Sequence, residues 1–176
     1  EDDPIELCNS PYACSKRAME QFASTYNRLY GISLIGLRFF TVYGPRGRPD
    51  MAPYKFMTSI MNGKKIQIYG DGSSSRDYTY IDDIVDGIIA AVENKNNISC
   101  EVYNLGNSTP VKLMEFIRII EEVSGCKAIY EHIEDQLGDV PHTFADISKA
   151  KRDLGYNPKT SLQEGLKNLY KYFSPS

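Results

Sequence analysis

Between Ser10 and Tyr30, apolar and aromatic residues recur at Tyr12, Met19, Phe22, Ala23, Tyr26 and Tyr30, mostly three or four apart, which is the spacing of one helical face. Ser10 supplies an N-cap, Pro11 suits a first turn where its missing N–H costs nothing, and Gly31 stops the helix. The pattern then changes. Ile32 to Phe40 reads Ile-Ser-Leu-Ile-Gly-Leu-Arg-Phe-Phe, a nearly continuous apolar run of strand length, as expected of a strand covered by helices on both faces. Helix followed by buried strand predicts a parallel α/β sheet.

A Gly/Pro-rich stretch from Tyr43 to Asp50 interrupts regular structure before a short helix at about Tyr54 to Met61, stopped by Asn62-Gly63. A strand is expected at Ile66 to Tyr69, then a turn over Gly70 to Ser75, an extended Arg76 to Tyr80, and a helix capped near Asp82 that runs through Ala91. Glu101 to Leu105 reads as a strand, Leu113 to Val123 as an amphipathic helix ended by Gly125, and the region near Ala128 to His132 as another strand. Two helices close the chain, one from Asp146 and one from Ser161, the latter with a capping box formed by Ser161 and Glu164. The fold class is α/β. A buried parallel strand at 32–40 needs neighbours that these elements hardly supply, so several strands of its sheet are expected to be missing.

Composition narrows the function classes. The chain has 176 residues, 41% hydrophobic and 24% charged, which is the profile of a soluble globular protein. No apolar run approaches the roughly 18 residues of a spanning helix, and no apolar stretch follows a basic start, so neither a membrane segment nor an export signal is visible. A formal net charge of -3 offers no basic field, which argues against nucleic acid as a partner and requires any bound anion to meet local cations. Cys8, Cys14, Cys100 and Cys126 lie apart without a CxxC pair, and there are 2 histidines; no metal site or disulfide framework is expected, and a reducing, cytoplasmic setting is. The acidic opening Glu1-Asp2-Asp3-Pro4 without a methionine leads us to expect a piece of a longer polypeptide.

Tyr12 and Lys16 stand four apart on the first helix, so about 6 Å of rise and a small angular offset put them on one face. A cation close to a phenol favours the phenolate, which can then take a proton from a sugar or alcohol hydroxyl. Tyr12 is therefore a candidate general base and Lys16 its tuner. With 13 tyrosines in the chain, a Tyr-x-x-x-Lys arises by chance on the order of once, so the pair alone decides nothing.

Longer segments decide more. Ser10-Pro11-Tyr12-Ala13-Cys14-Ser15-Lys16 resembles the catalytic segment of the extended short-chain dehydrogenase/reductases. The string from Leu37 to Ala52, Leu-Arg-Phe-Phe-Thr-Val-Tyr-Gly-Pro-Arg-Gly-Arg-Pro-Asp-Met-Ala, is similar to the following strand and loop of their UDP-glucuronate 4-epimerase branch. Related decarboxylases and dehydratases usually carry Asn at the place of Thr41. Ile68-Tyr69-Gly70-Asp71-Gly72, with Arg76-Asp77-Tyr78 and Tyr80-Ile81-Asp82-Asp83, resembles that family's nucleotide-sugar segment, and Gly138-Asp139-Val140-Pro141 with Thr143, Ala145 and Asp146 its ribose-side segment.

The resemblance implies the C-terminal part of a Rossmann-like fold plus a small α/β substrate-binding domain. Residues 1–45 would be a remnant of the NAD-binding domain and 46–176 mainly the substrate domain, with 82–105 returning to the first. It implies Tyr12 as base, Lys16 as its partner and a ligand of the nicotinamide ribose, and Phe40 beside the nicotinamide of the cofactor NAD. Toward a UDP-sugar it implies Thr41 near the uronate carboxylate, Arg48 and Arg76 on the diphosphate, Gln67 and Tyr69 around uracil, and Gln136 and Asp139 on the ribose side. Gln136 stands where galactose epimerases have Arg. The implied partners are the UDP-sugar, an N-terminal NAD-binding half that lies outside the chain, and, by analogy, a second copy in a homodimer.

Each assignment has a simpler rival. Arg38 on a strand reads as a structural ion-pair partner, Asp82-Asp83 as a helix cap with a solvated neighbour, and Gly70-x-Gly72 as a turn, since no third glycine or helix follows. His132 and His142 have no triad companions and read as surface or core residues. Two other functions stay open at this point: a UDP-sugar dehydratase or decarboxylase of the same superfamily, and a non-catalytic nucleotide-sugar binding module.

Overall fold

The computed structural model describes residues 1, 8, 10–94, 99–134 and 140–174. Along them the elements run α1 (Pro11–Tyr30), β1 (Leu34–Phe39), β2 (Thr41–Tyr43), α2 (Ala52–Met61), β3 (Lys65–Tyr69), β4 (Ser75–Tyr80), α3 (Ile81–Glu93), β5 (Cys100–Leu105), β6 (Pro110–Lys112), α4 (Leu113–Ser124), β7 (Ile129–Ile133), α5 (Ser148–Leu154) and α6 (Leu162–Phe173). The fold is α/β with three parallel pairings: β1 with β5, β2 with β4, and β3 with β7. The short β6 adds an antiparallel edge to β4.

Local signals place most element ends. The Ser10 hydroxyl accepts from the Ala13 N–H at 3.1 Å, and Gly31 ends α1 at φ 67°, its N–H on the Asn27 carbonyl. Ser161 caps α6 by accepting from the Glu164 N–H at 3.2 Å. The strand expected over 32–40 spans Leu34–Phe39, and a second strand, not expected, follows at once. β1 ends at Phe39, the Phe40 N–H still donates to Leu105 at 3.3 Å, and Thr41 already lies opposite Tyr78, so the chain passes from β5 to β4 at Phe40. No local sequence signal marks this break, because it is a change of pairing partner.

Two clusters of buried side chains organise the molecule. The larger joins Tyr43, Phe56, Met57, Ile60, Ile66, Ile68, Tyr78, Phe116, Ile120 and Leu166, contributed by α2, α4, α6 and the strands between them. At its centre the Tyr78 and Phe116 rings stack with centroids 4.3 Å apart. The smaller contains Ile84, Tyr103, Leu105, Ala145, Ile147, Ala150 and Tyr156, with Ile35, Leu37 and Phe40 packed against it.

Two expectations need correction. β1 was expected to be buried, but none of its residues is, because among the described residues β5 alone pairs with it, on one edge. The apolar face expected on α1 is present but covers no core: no residue of α1 is buried, and Met19, Phe22, Tyr26, Leu29 and Tyr30 are exposed. The cap of α3 is Tyr80, with no side-chain cap bond; Asp82 lies exposed in the first turn. Asp83 turns inward, where its carboxylate accepts from the Lys159 and Thr160 N–H groups at 2.9 and 3.1 Å.

Candidate active site

The Ser10 cap and Pro11 fix the first turn of α1, and that turn presents Tyr12 and, one turn later, Lys16. The Lys16 ammonium lies 5.2 Å from the centroid of the Tyr12 ring, the cation–π geometry that an i, i+4 pair allows. Tyr12 is 70% exposed, and both residues line a groove of about 490 Å³ that runs between α1 and the strands β1 and β5. Gly36 and Leu37 contribute to its lining, as does an ion pair between Glu20 and Arg38.

That ion pair fastens α1 to β1. Arg38 Nε donates to Glu20 Oε1 at 2.7 Å and Nη2 to Oε2 at 2.9 Å, while Arg17 adds a third bond at 2.9 Å. The Arg38 hydrogen bond holds the Glu20 carboxyl below the ordinary glutamate range against the opposing effect of burial. Arg38 is thus the structural partner expected for a strand arginine.

Phe40 and Thr41 sit where the chain changes strand partner, at the carboxyl end of β1 and the start of β2. Crevices at such points, outside the carboxyl ends of parallel strands, are where α/β folds bind ligands. Arg48 lies in the loop after β2, exposed, and paired with Asp50 through Nη2–Oδ2 at 2.5 Å and Nε–Oδ1 at 3.1 Å. The hydrogen bond to Asp50 is the main cause that holds the Arg48 guanidinium above the ordinary arginine value. An anion that binds Arg48 must compete with Asp50.

Gln67 and Tyr69 share the exposed face of β3, because Ile66 and Ile68 between them point into the larger core. The same face carries Lys65, paired with Glu131 at 3.0 Å. Arg76 on β4 donates from Nη1 to the Ser75 and Pro141 carbonyls at 3.0 and 3.1 Å. Gln136 and Asp139 lie outside the described residues. Gly70 to Ser73 form the expected turn, with Asp71 accepting from the Ser73 N–H at 2.8 Å. Both histidines are exposed: His132 is bonded to the Gly70 carbonyl at 2.8 Å and His142 to the Ser75 hydroxyl at 3.0 Å.

One group next to these residues had drawn no assignment from the sequence. Asp77 is 0% exposed, and its carboxylate accepts from the N–H groups of Asn107, Ser108 and Ala145 at 2.7, 2.9 and 3.1 Å. The available signal was an acid directly before the run Tyr78-Thr79-Tyr80, where strand burial leaves no place for an unpartnered charge. Among the described residues no cluster of His, Cys, Asp and Glu is placed to hold a metal ion, and no helix is long and apolar enough to cross a membrane.

A Tyr-x-x-x-Lys helix laid against parallel strands, with the chain crossing to a second sheet beyond it, defines an α/β protein of the Rossmann-like short-chain dehydrogenase/reductase class. The chain matches the NAD dependent epimerase/dehydratase family over residues 1–106, and it belongs to that family. It is 50% identical over 173 residues to an uncharacterized protein of Methanocaldococcus jannaschii, covering 98% of this chain and 52% of that one. It is 45% identical over 188 residues to UDP-glucuronate 4-epimerase 4 of Arabidopsis thaliana, covering 98% of this chain and 43% of the relative. The structure superimposes on UDP-glucuronic acid 4-epimerase from Bacillus cereus, solved with UDP-glucuronic acid and NAD, at a TM-score of 0.93 and 38% identity, over 99% of this chain and 55% of that one. The chain spans about half the length of the curated relatives it matches.

Proposed function

We propose that these residues work within a longer polypeptide as the substrate-side half of an NAD-dependent epimerase that interconverts UDP-glucuronate and UDP-galacturonate at C4. The observation that carries this reading is the Lys16 ammonium 5.2 Å from the Tyr12 ring, on the helix face that borders the groove. The relatives at 45% and 38% identity, named for UDP-glucuronate and UDP-glucuronic acid, support the choice of sugar. The division into residues 1–45 with 82–105 on the cofactor side and the rest of 46–176 on the sugar side is part of the same proposal. The edge of β1 that no described strand pairs with is where further strands would pair, and the exposed residues Phe22, Tyr26 and Leu29 of α1 would offer a face to a second copy.

The residues present suit NAD: a phenol and an ammonium stand together one helical turn apart on α1, both able to bond ribose hydroxyls. Tyr12 and Lys16 would hold the nicotinamide ribose, with Phe40 beside the ring. NAD held there would supply the acceptor and later the donor of a hydride at sugar C4. Tyr12 takes the proton from the C4 hydroxyl as hydride leaves and gives it back to the same oxygen after the sugar has turned. Lys16 stabilises the charged phenol during both steps. The 4-keto sugar carries its carboxylate on C5 and is therefore a β-keto acid prone to lose CO₂. Thr41 would hold that carboxylate in an orientation that disfavours the loss. Arg48 and Arg76 would neutralise the diphosphate, Gln67 and Tyr69 would frame the uracil, and Gln136 and Asp139 would meet the ribose.

The test is turnover of UDP-glucuronate with NAD by the full-length polypeptide, followed by separation of UDP-sugars. Tyr12→Phe is expected to lower kcat by about 10³-fold while UDP binding measured by calorimetry stays within twofold. Release of CO₂ with a UDP-pentose product would instead identify a decarboxylase, and Tyr12→Phe without effect on a measurable turnover would exclude Tyr12 as the base.

A further inference from the structure

The wholly buried Asp77 adjoins Arg76, and along a strand the two side chains point to opposite faces. Both grip the same neighbouring segment. Residues 141–143 run beside the start of β4: the Ser75 N–H donates to Pro141 at 2.9 Å, the Thr143 N–H to Ser75 at 3.1 Å, and the Asp77 N–H to the Thr143 hydroxyl at 3.0 Å. At one end of this strap Arg76 Nη1 takes the Pro141 carbonyl at 3.1 Å, and at the other the Asp77 carboxylate takes the Ala145 N–H at 3.1 Å.

The same carboxylate closes a turn after β5. The N–H groups of Asn107 and Ser108 converge on it, with Ser108 in the left-handed region at φ 58°, the backbone concavity that binds anions. Gly106 makes the approach possible, since a Cβ there would collide with Ala145, and the Tyr156 hydroxyl fixes its carbonyl at 3.0 Å. β4, the turn after β5 and the 141–145 strap therefore meet at one side chain.

We propose that Asp77 is a positioning residue for nucleotide binding: it sets the strap whose Pro141 carbonyl orients the Arg76 guanidinium toward a diphosphate. This rests on the functional reading above, in which Arg76 meets the diphosphate. Replacing the carboxylate by an amide of equal size turns one acceptor into a donor that faces a backbone N–H, so the strap must move or a buried donor is left unmet. The disturbance falls on Arg76, while Tyr12 and Lys16 stand on α1 and are fixed by the Ser10 cap and the Glu20–Arg38 pair instead.

The experiment compares full-length wild type, Asp77→Asn and Thr143→Val for UDP affinity by calorimetry and for KM and kcat with UDP-glucuronate. Asp77→Asn is expected to weaken UDP about tenfold and raise KM to match, with kcat within about threefold; Thr143→Val is expected to do the same to a smaller extent, about threefold, and Thr143→Ser to restore wild-type affinity. Unchanged UDP affinity in a folded Asp77→Asn, or a fall in kcat at unchanged KM, overturns the inference. If Asp77→Asn does not fold, unchanged affinity in Thr143→Val overturns it. A wild type that binds no UDP overturns the functional reading and this inference with it, whereas one that binds UDP as tightly as its Asp77 variant does overturns this inference alone.

Discussion

The two cores of the molecule differ in how they are closed. The larger is enclosed by α2, α4, α6 and its strands, and Met57, Phe116, Ile120 and Leu166 lose all contact with solvent. The smaller is closed on the side of α3 and α5 only. Toward α1 it ends in a strand with no buried residue, a helix with no buried residue, and a groove between them. The sealed region depends on interior packing for its stability, and the open one on directed polar bonds, chiefly Glu20 with Arg38 and the caps of α1. The candidate catalytic pair stands in the open region and the proposed diphosphate and uracil contacts on the sealed one, so the sealed region would hold the nucleotide while the open region meets the reacting end.

The contrast can be broken by mutation. The largest effect is expected from Phe116→Ala, which removes a ring stacked on Tyr78 in a sealed interior and should cost about 3–5 kcal/mol in urea unfolding. A cost below about 1 kcal/mol would show that the larger core is not tightly packed.

A smaller effect is expected where α1 is tied down. Glu20→Gln should cost about 1–2 kcal/mol at pH 7, the range for a partly buried, bidentate, charge-assisted pair. The folded carboxyl lies below its unfolded value, so this contribution is full above the ordinary glutamate range and is lost as pH falls through the folded value. The stability gap between wild type and variant should therefore shrink below about pH 4.3. A gap that stays constant down to pH 3 would remove the ion pair as its cause.

The smallest effect is expected on the outer face of α1. Phe22 is 66% exposed, and Phe22→Ser in the 176-residue chain should change stability by less than about 0.5 kcal/mol. The same substitution in the full-length polypeptide sharpens the contrast: a loss above about 2 kcal/mol there, by the same unfolding measurement, would show that the face is covered by further chain or by a second copy.

Much of this organisation was legible in the residues themselves. Ser10, Pro11 and Gly31 mark α1 because caps and left-handed stops are decided within a few residues, and the alternation of Ile66 and Ile68 with Gln67 and Tyr69 marks β3 for the same reason. The Tyr12–Lys16 pairing follows from helix geometry alone. The change of pairing partner at Phe40 and the strand β2 after it were not legible, nor was β6, whose three residues from Pro110 to Lys112 are a strand only because β4 offers them an edge. The inward turn of Asp83 was missed because an acid in a first helical turn ordinarily satisfies its own helix, and here the loop before α6 presents two N–H groups to it.

Sequence alone determined the α/β class, the helix that carries Tyr12 and Lys16, and the family to which the chain belongs, because these depend on short-range periodicity and on strings of adjacent residues. Tertiary structure decided which strands pair, that Asp77 is wholly enclosed, and that Arg76 is bound to a carbonyl far along the chain. Those facts depend on backbone groups that meet only after folding, and an N–H donor leaves no trace in the identity of the residue that bears it.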